Sequence, residues 1–185
     1  MKIIKIFIFL LILFNVALKA YSNENIENIL KGGGKLIFIR HAYAPGGGDP
    51  NNFDISDCST QRNLNEEGIA QSINLGKFFL KNDIKIDKVL SSEWCRCRQT
   101  AEYAFKTLET KSFLNSFFSK KFAINKSKQI KELKEFVQNW DGKKNLVLVT
   151  HYVVISEILN YYPSSGEIVI ADKKLNVVGN FKIKY

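Results

Sequence analysis

The segment KLIFIR, Lys35–Arg40, leads directly into His41, and the segment NLVLVT, Asn145–Thr150, leads in the same way into His151. Each is a short, strongly apolar run bounded by glycine or polar residues, which is typical of a buried strand. A further strand is predicted at Ile84–Leu90, which ends at a pair of serines. Helical patterns separate these runs. The alternation predicts an α/β fold, a three-layer sandwich with a mostly parallel central sheet and helices on both faces.

The remaining elements follow from hydrophobic periodicity and from turn residues. The run at 113–118 is ambiguous between strand and loop, and the segment 42–63 is a long loop rich in Gly, Pro, Asp and Asn. Helices are predicted at 23–31, 65–81, 91–108, 127–140 and 151–162, and a final hairpin at 167–171 and 175–183.

The first twenty residues have the pattern of a secretory signal peptide. Two lysines are followed by a mostly apolar run at 6–16 and by small residues up to Ala20. We expect cleavage after Ala20, a single domain over residues 21–185, and a periplasmic or secreted protein. The alternative is an uncleaved leader, which would be the chain's only attachment to a membrane.

The charge distribution argues against nucleic acid as a partner. The chain has 185 residues and a formal charge of +9, which falls to +6 without the three lysines of residues 1–20. The remaining lysines are scattered and form no basic stripe interleaved with aromatic residues. A small anionic substrate fits this composition better. The sequence does not indicate an oligomeric state.

The three cysteines suit an exported protein in which two of them pair. Cys95 and Cys97 would lie on adjacent sides of one turn, where they are poorly placed to bridge each other. Of the pairings that remain, we expect a disulfide between Cys58 and Cys95. A zinc site is the alternative, but a single Cys-x-Cys lacks the usual ligand spacing, and no metal is expected.

The two histidines are the only ones in the chain, and both follow predicted strands. In a parallel sheet the carboxyl ends of the strands meet at one edge, where ligands bind. An imidazole nitrogen can attack phosphorus and divide one hydrolysis into two easier steps. Such a reaction needs positive groups that neutralise the oxygens of the transferred phosphoryl group.

Several arginines could supply that charge. Arg40 precedes His41, and its planar guanidinium matches the geometry of a phosphate. Arg96 and Arg98 lie just after the serine pair, where Ser92 would begin a helix whose amides could also bind an anion. One of these two is expected to be a solvated helix charge. Arg62, at the end of the long loop, is a weaker candidate, and Ser92 and Arg62 are both predicted to bind substrate.

Four motifs resemble the histidine phosphatase, or phosphoglycerate mutase-like, superfamily. They are LIFIRHA at 36–42, LNEEGIA at 64–70, LSSEWCRCRQTA at 90–101 and LVLVTHY at 146–152. The resemblance implies that His41 is the phosphorylated nucleophile and that Arg40, Arg96 and His151 complete the phosphate pocket. Arg96 matches the family's arginine four residues after the serine pair, and Arg98 does not. The segment 57–63 further resembles a small exported branch of the superfamily, in which it would border the substrate entrance.

The sequence departs from the superfamily at the proton donor. Tyr152 stands where the acid-phosphatase branch has an aspartate, and the segment 114–118 has no acid where the mutase-like members carry theirs. Glu93 and Asp57 are the candidates that could protonate a leaving oxygen, the alternative being that both are ordinary surface carboxylates.

The leading hypothesis is a cofactor-independent phosphatase that hydrolyses small phosphate monoesters. The alternatives are a non-catalytic protein that binds a phosphorylated ligand in the same pocket and a phosphatase that acts on phosphohistidine in another protein.

Overall fold

Six strands form one mixed sheet at the centre of the chain, which a computed structural model describes over residues 26–183. The strands are β1 (Leu36–Arg40), β2 (Ile86–Ser91), β3 (Glu109–Thr110), β4 (Asn145–Thr150), β5 (Glu167–Ala171) and β6 (Val177–Lys182). The order across the sheet is β3-β2-β4-β1-β5-β6. Neighbouring strands from β3 to β1 in this order are parallel, and β5 and β6 run antiparallel at one edge. The predicted mostly parallel sheet is confirmed.

Between residues 26 and 183, six helices surround this sheet. They are α1 (residues 26–31), α2 (Glu66–Lys81), α3 (Cys95–Phe105), α4 (Lys120–Ala123), α5 (Lys126–Asn139) and α6 (Tyr152–Leu159). The predicted signal peptide at 1–20 lies outside the described residues. No helix between residues 26 and 183 is long and apolar enough to cross a membrane.

Side chains of the central strands point alternately to the two faces of the sheet, and this produces the three layers. Leu36 and Phe38 of β1 are fully buried in one core with the apolar residues of α5 and α6. Ile37 and Ile39 are fully buried in a second core, on the other face, with α1, α2 and α3. Since neighbouring side chains of a strand point to opposite faces, a continuous apolar run requires cover on both sides.

A buried asparagine holds the start of the central strand β4. The Asn145 amide donates to the carbonyl of Leu30 over 2.7 Å and to that of Lys85 over 2.9 Å, and its oxygen accepts from the amide of Lys35. The segments before β1, β2 and β4 are therefore fixed to one another at the edge opposite the strand carboxyl ends.

A close backbone contact positions the segment that follows β1. A Cβ atom at Gly68 would lie 2.0 Å from the carbonyl oxygen of Tyr43, so only glycine permits this approach. The helix that carries Gly68, α2, begins after Asn65, whose side chain accepts from the Gly68 amide over 3.0 Å. The residues just after His41 are thus held against the first turn of α2.

The structure differs from the sequence prediction mainly at helix ends and short elements. α3 begins at Cys95 rather than at the serine pair, because β2 continues through Ser91 and Trp94 is still extended. It ends before Lys106, and α6 ends before Asn160, both of which adopt left-handed backbone angles. The ambiguous run at 113–118 begins within a 3-10 turn, Ser112–Leu114, and β3 and α4 are too short to give a periodic pattern.

Candidate active site

The ends of β1, β2 and β4 bring the two histidines together. The amide of His41 donates to the carbonyl of Thr150, and the amide of Ser92 donates to the carbonyl of Val149, each over 2.9 Å. The ring centroids of His41 and His151 lie 5.5 Å apart. The parallel strands therefore deliver both imidazoles to one crevice, although 110 positions separate them in the chain.

His41 is oriented by hydrogen bonds at both ring nitrogens. Nδ1 lies 2.8 Å from the carbonyl oxygen of Ala42, and the Nε–H of Arg96 donates to Nε2 over 3.2 Å. A guanidinium can only donate, so Nε2 carries a lone pair and Nδ1 carries the proton. His41 is 2% exposed, and burial, reinforced by the charge of Arg96, lowers its pKa well below the usual range. The ring is therefore neutral, and the lone pair on Nε2 is directed at the guanidinium of Arg96 inside the site.

Arg96 connects the histidine to a carboxylate in the long loop. It lies in the first turn of α3 and is 3% exposed. Its Nη1 donates to Asp49 Oδ1 over 2.6 Å and to the carbonyl of Arg62 over 3.3 Å, and its Nη2 donates to Asp49 Oδ2 over 3.2 Å. The planar guanidinium is thus held by a bidentate pair on one side and by His41 on the other.

Arg40 lines the same cavity. Its Nη1 donates to the carbonyl of Pro163 over 2.9 Å, and its guanidinium carbon lies 5.7 Å from the centre of the Tyr152 ring. Its Nε is buried and has no hydrogen-bond partner within the described part of the chain. The guanidinium is thus anchored at one end by Pro163 and stacked near Tyr152, with its charge at the cavity.

His151 is fixed from behind by Ser92 and Cys97. Its Nε2 lies 2.9 Å from Ser92 Oγ and 3.4 Å from Cys97 Sγ, while Ser92 Oγ donates onward to Asn115 Oδ1 over 3.0 Å. Burial, followed by the charge of Arg96, lowers the pKa of His151 well below its usual value. Nδ1 is then the ring nitrogen that can address a ligand.

The structure corrects the predicted role of Ser92. Its side chain is fully buried behind His151, and the residues that line the cavity do not include it. Ser92 therefore positions a histidine rather than binding substrate. The predicted anion-binding amides at the start of α3 are also engaged within the protein, since the amide of Cys95 donates to the Gln61 side chain over 2.9 Å.

Arg62 lines the cavity, as predicted, and also shapes the long loop. Its Nε donates to the carbonyl of Gly48 over 2.9 Å and its Nη1 donates to the carbonyl of Ala44. Arg98, which does not match the family's arginine, lines a separate shallow depression.

Neither predicted proton donor lies on the cavity. The carboxylate of Glu93 accepts from the Asn115 amide, and Glu93 lines the separate depression with Arg98. Asp57 is exposed and accepts from the amide and hydroxyl of Ser59, capping a 3-10 turn. These two predictions fail because the extended residues before α3 turn Glu93 outward and because the loop uses Asp57 for a local turn.

Asp49 is the residue that the sequence reasoning missed. Among the described residues it is the one acidic side chain that lines the cavity, and besides Arg96 it accepts from the amide of Arg62 and from the Trp94 indole, each over 3.1 Å. Burial alone would raise its pKa, but the hydrogen bonds and charge of Arg96 outweigh this and hold the pKa below its usual value. The available signal was the position of Asp49 after three glycines in a long loop.

A disulfide joins the loop to α3 beside these groups. Cys58 and Cys95 are bonded with their Cα atoms 5.7 Å apart, and Cys97 remains a free, buried thiol. Cys95 directly precedes Arg96, so the bridge ties the loop that carries Asp49 and Arg62 to the helix turn that carries the guanidinium.

The cavity bounded by these residues has a volume of about 580 Å³. Its floor is made by the two histidines and the arginines, and Phe53, Trp94 and Phe122 form an aromatic wall with ring centroids 5.0–5.5 Å apart. Lys120 and Lys121 lie at the rim. No group of three or more His, Cys, Asp or Glu within residues 26–183 is arranged to hold a metal ion. The site is therefore basic at its floor and apolar along one side.

Known proteins share this fold and part of its sequence pattern. The family model of the histidine phosphatase superfamily (branch 1) matches residues 36–116, which include Arg40, His41, Arg62 and Arg96 but not His151. No curated protein matches the chain.

Among solved structures, the chain is similar to the protein histidine phosphatase SixA complexed with tungstate, at 16% identity and a TM-score of 0.55, over 81% of this chain and 96% of that one. Phosphoglycerate mutase from Thermus thermophilus gives 16% identity and a TM-score of 0.59, over 81% and 99%. TTHB049 from the same organism gives 16% and 0.57, over 81% and 99%. The chain thus has the phosphoglycerate mutase-like fold.

Proposed function

We propose that the chain is a histidine phosphatase that hydrolyses small phosphate monoesters through a phosphohistidine on Nε2 of His41. The observation that carries the proposal is the neutral, buried imidazole whose lone pair faces Arg96 inside a basic cavity. The matching superfamily and the shared fold support the same reaction class.

The first half-reaction is attack on phosphorus by Nε2 of His41. The hydrogen bond from Nδ1 to Ala42 keeps the proton away from the nucleophilic nitrogen and stabilises the positive charge that forms on the ring. The guanidiniums of Arg40 and Arg96 line the cavity and bind the phosphoryl oxygens, and His151 lies beside them at the end of β4. Fixed guanidinium donors stabilise the charge that develops in the transition state.

In the second half-reaction, water attacks the phosphohistidine and returns the electron pair of the P–N bond to Nε2. The nucleophile and the positive charges are supplied by the chain's own side chains, so we expect turnover without an added metal or organic cofactor. The cavity admits a small phosphorylated molecule, with the aromatic wall beside the leaving group.

We further propose that the protein is exported and that it belongs to the small exported branch of the superfamily. The leader pattern of residues 1–20 and the Cys58–Cys95 disulfide support this location, since disulfides persist in oxidising compartments. N-terminal sequencing of the mature protein should begin at Tyr21. A mature protein that begins at Met1 and pellets with membranes would instead support the uncleaved anchor.

The test of the reaction is turnover of p-nitrophenyl phosphate by the wild type and by His41→Ala across a pH profile from about 4 to 8. A rapid quench followed by mass spectrometry should locate an acid-labile phosphate on His41. Turnover equal in both proteins, or a labelled residue other than His41, would overturn the proposal.

The same experiment separates the two alternatives. A non-catalytic phosphate-binding protein would bind inorganic phosphate but give neither turnover nor label. A phosphatase specific for phosphohistidine in proteins, as the name of the SixA neighbour suggests for that protein, would dephosphorylate a phosphohistidine-containing carrier protein much faster than the aryl ester.

A further inference from the structure

The sequence motifs contain no residue that would serve as the proton donor of the proposed reaction. Among the described residues, the structure has one carboxylate at the cavity. The Asp49 side chain is 18% exposed and accepts four hydrogen bonds, from both Nη atoms of Arg96, from the amide of Arg62 and from the indole of Trp94. Glu93 and Asp57 face elsewhere, as described above. Asp49 is therefore the acidic group closest to the chemistry among the described residues.

Asp49 occupies the same nitrogens of Arg96 that a bound phosphate would use. The guanidinium has five N–H groups, and four of them already serve His41, Asp49 and Arg62. A phosphate that binds Arg96 through its fork must take the positions now held by the Asp49 oxygens. The dianion and the carboxylate repel each other at this distance, so Asp49 must yield to the substrate.

The backbone before Asp49 has room for such a shift. Gly46 and Gly48 have φ angles of 87° and 73°, which L side chains rarely adopt, and nothing lies within 4 Å of a Cβ built at Gly47 or Gly48. The backbone next to Asp49 is therefore free of packed side chains at these two glycines, and a shift of the carboxylate breaks only its own hydrogen bonds to Arg96, the Arg62 amide and the Trp94 indole.

We propose that Asp49 is the catalytic proton donor, released from Arg96 by the incoming phosphate and placed beside the leaving oxygen. This inference rests on the proposed function. Once Arg96 is shared with a phosphate, the influence that favours the ionised carboxylate is weakened and the neighbouring negative charge favours the protonated form.

The proton balance closes over the cycle. Nε2 of His41 forms the P–N bond as the P–O bond to the leaving group breaks, and the leaving oxygen keeps the bonding pair and takes the proton of Asp49. In the second half-reaction the Asp49 carboxylate takes a proton from the attacking water, and the electron pair of the P–N bond returns to His41. The products are an alcohol and inorganic phosphate. Asp49 takes its proton from solvent as the substrate displaces it from Arg96, and it returns that proton to solvent when phosphate leaves and the pair with Arg96 forms again.

The test compares kcat/KM for a good and a poor leaving group, p-nitrophenyl phosphate and glycerol 2-phosphate, in the wild type and Asp49→Asn. A general acid contributes about 10²–10⁴-fold where the leaving group needs a proton, so the alkyl ester should lose about that factor, and the aryl ester less than about tenfold. The matched control is Asp54→Asn, an exposed aspartate of the same loop, which should leave the ratio of the two substrates unchanged.

The ratio of kcat/KM for the two esters distinguishes a proton donor from a residue that only positions Arg96. A purely structural Asp49 would affect both esters equally, and that result would overturn the inference while leaving the proposed function intact. If Asp49→Asn does not fold, the smaller Asp49→Ser replaces it, and a steep dependence of wild-type kcat/KM on leaving-group basicity would also overturn the inference. Absence of turnover of either ester by the wild type would reject the proposed function itself, and with it the need for a donor.

Discussion

The Nε–H of Arg96 donates to Nε2 of His41 over 3.2 Å, so the nitrogen that we propose as nucleophile faces a guanidinium before any phosphate is present. This contact fixes the tautomer of the ring, because Nε2 must accept. It also places the positive charge next to the atom at which the phosphoryl group would arrive. One short turn of α3, begun by the disulfide cysteine, therefore sets both the protonation state and the electrostatics of the site.

The substitution Arg96→Lys tests whether catalysis needs the planar guanidinium or only its positive charge. A lysine keeps the charge but offers a compact ammonium in place of the planar fork, and it cannot hold His41 and a phosphate together. Charge-assisted hydrogen bonds contribute about 1.5–3 kcal/mol each, so kcat/KM for an aryl phosphate should fall by about 10–100-fold. The measurement is steady-state turnover.

The matched control for this change is Arg98→Lys, on the same helix but outside the cavity. It should retain the wild-type kcat/KM. Equal losses in the two variants would contradict the assignment of the phosphate site to Arg96.

The two buried histidines predict that the stability falls in mild acid. Burial and then the charge of Arg96 lower the pKa of both His41 and His151 well below the usual value. In the unfolded chain they titrate near about 6.5. Below that pH the unfolded state takes up protons that the folded state does not, so the free energy of unfolding should decrease by up to about 1.4 kcal/mol per pH unit for each histidine.

Urea unfolding of the ligand-free protein between about pH 7 and pH 5 measures this slope. His41→Gln removes one of the two groups, and its free energy of unfolding should depend less steeply on pH than that of the wild type. An unchanged slope would show that His41 accepts a proton in the folded protein, and the neutral nucleophile would have to be abandoned.

The disulfide predicts a redox-dependent stability. The bridged residues are 37 positions apart, and closing a loop of that length in the unfolded chain corresponds to about 4 kcal/mol of stabilisation. Dithiothreitol should therefore lower the thermal midpoint of the wild type and reduce its turnover, because the loop that carries Asp49 and Arg62 is released from α3.

The double variant Cys58→Ser, Cys95→Ser is the control for this experiment. It should begin at the lower thermal midpoint, and reductant should not change it further. A wild type whose midpoint is insensitive to complete reduction, verified by thiol titration, would refute the structural role of the bridge.

The sequence predicted the parts of the site that follow from strand periodicity. Runs of apolar residues locate β1 and β4, and a parallel sheet places Arg40, His41 and His151 at one edge. The position of Arg96 came from the resemblance, since spacing alone could not separate it from Arg98. What separates them in the structure is the start of α3 at Cys95, which directs one arginine inward and the other outward.

Contacts within a long loop are not predicted by hydrophobic periodicity, because loop residues have no regular spacing. The segment 42–63 contains three aspartates. Asp54 and Asp57 stabilise local turns, whereas Asp49 reaches across to Arg96 and Trp94. The sequence favoured Asp57 and Glu93 as donors because both lie near recognisable motifs, but side-chain direction depends on φ and ψ at single loop positions.

The free thiol of Cys97 gives a last prediction, on reactivity. The side chain is fully buried beside His151, and burial raises the pKa of its thiol to about 12, so at neutral pH almost none of it is the reactive thiolate. We expect an aromatic disulfide reagent to detect no thiol in the folded protein without reductant and one thiol per chain in denaturant. One thiol detected at once in the folded protein would show that Cys97 is accessible, and the close packing behind His151 that orients its imidazole would then be wrong.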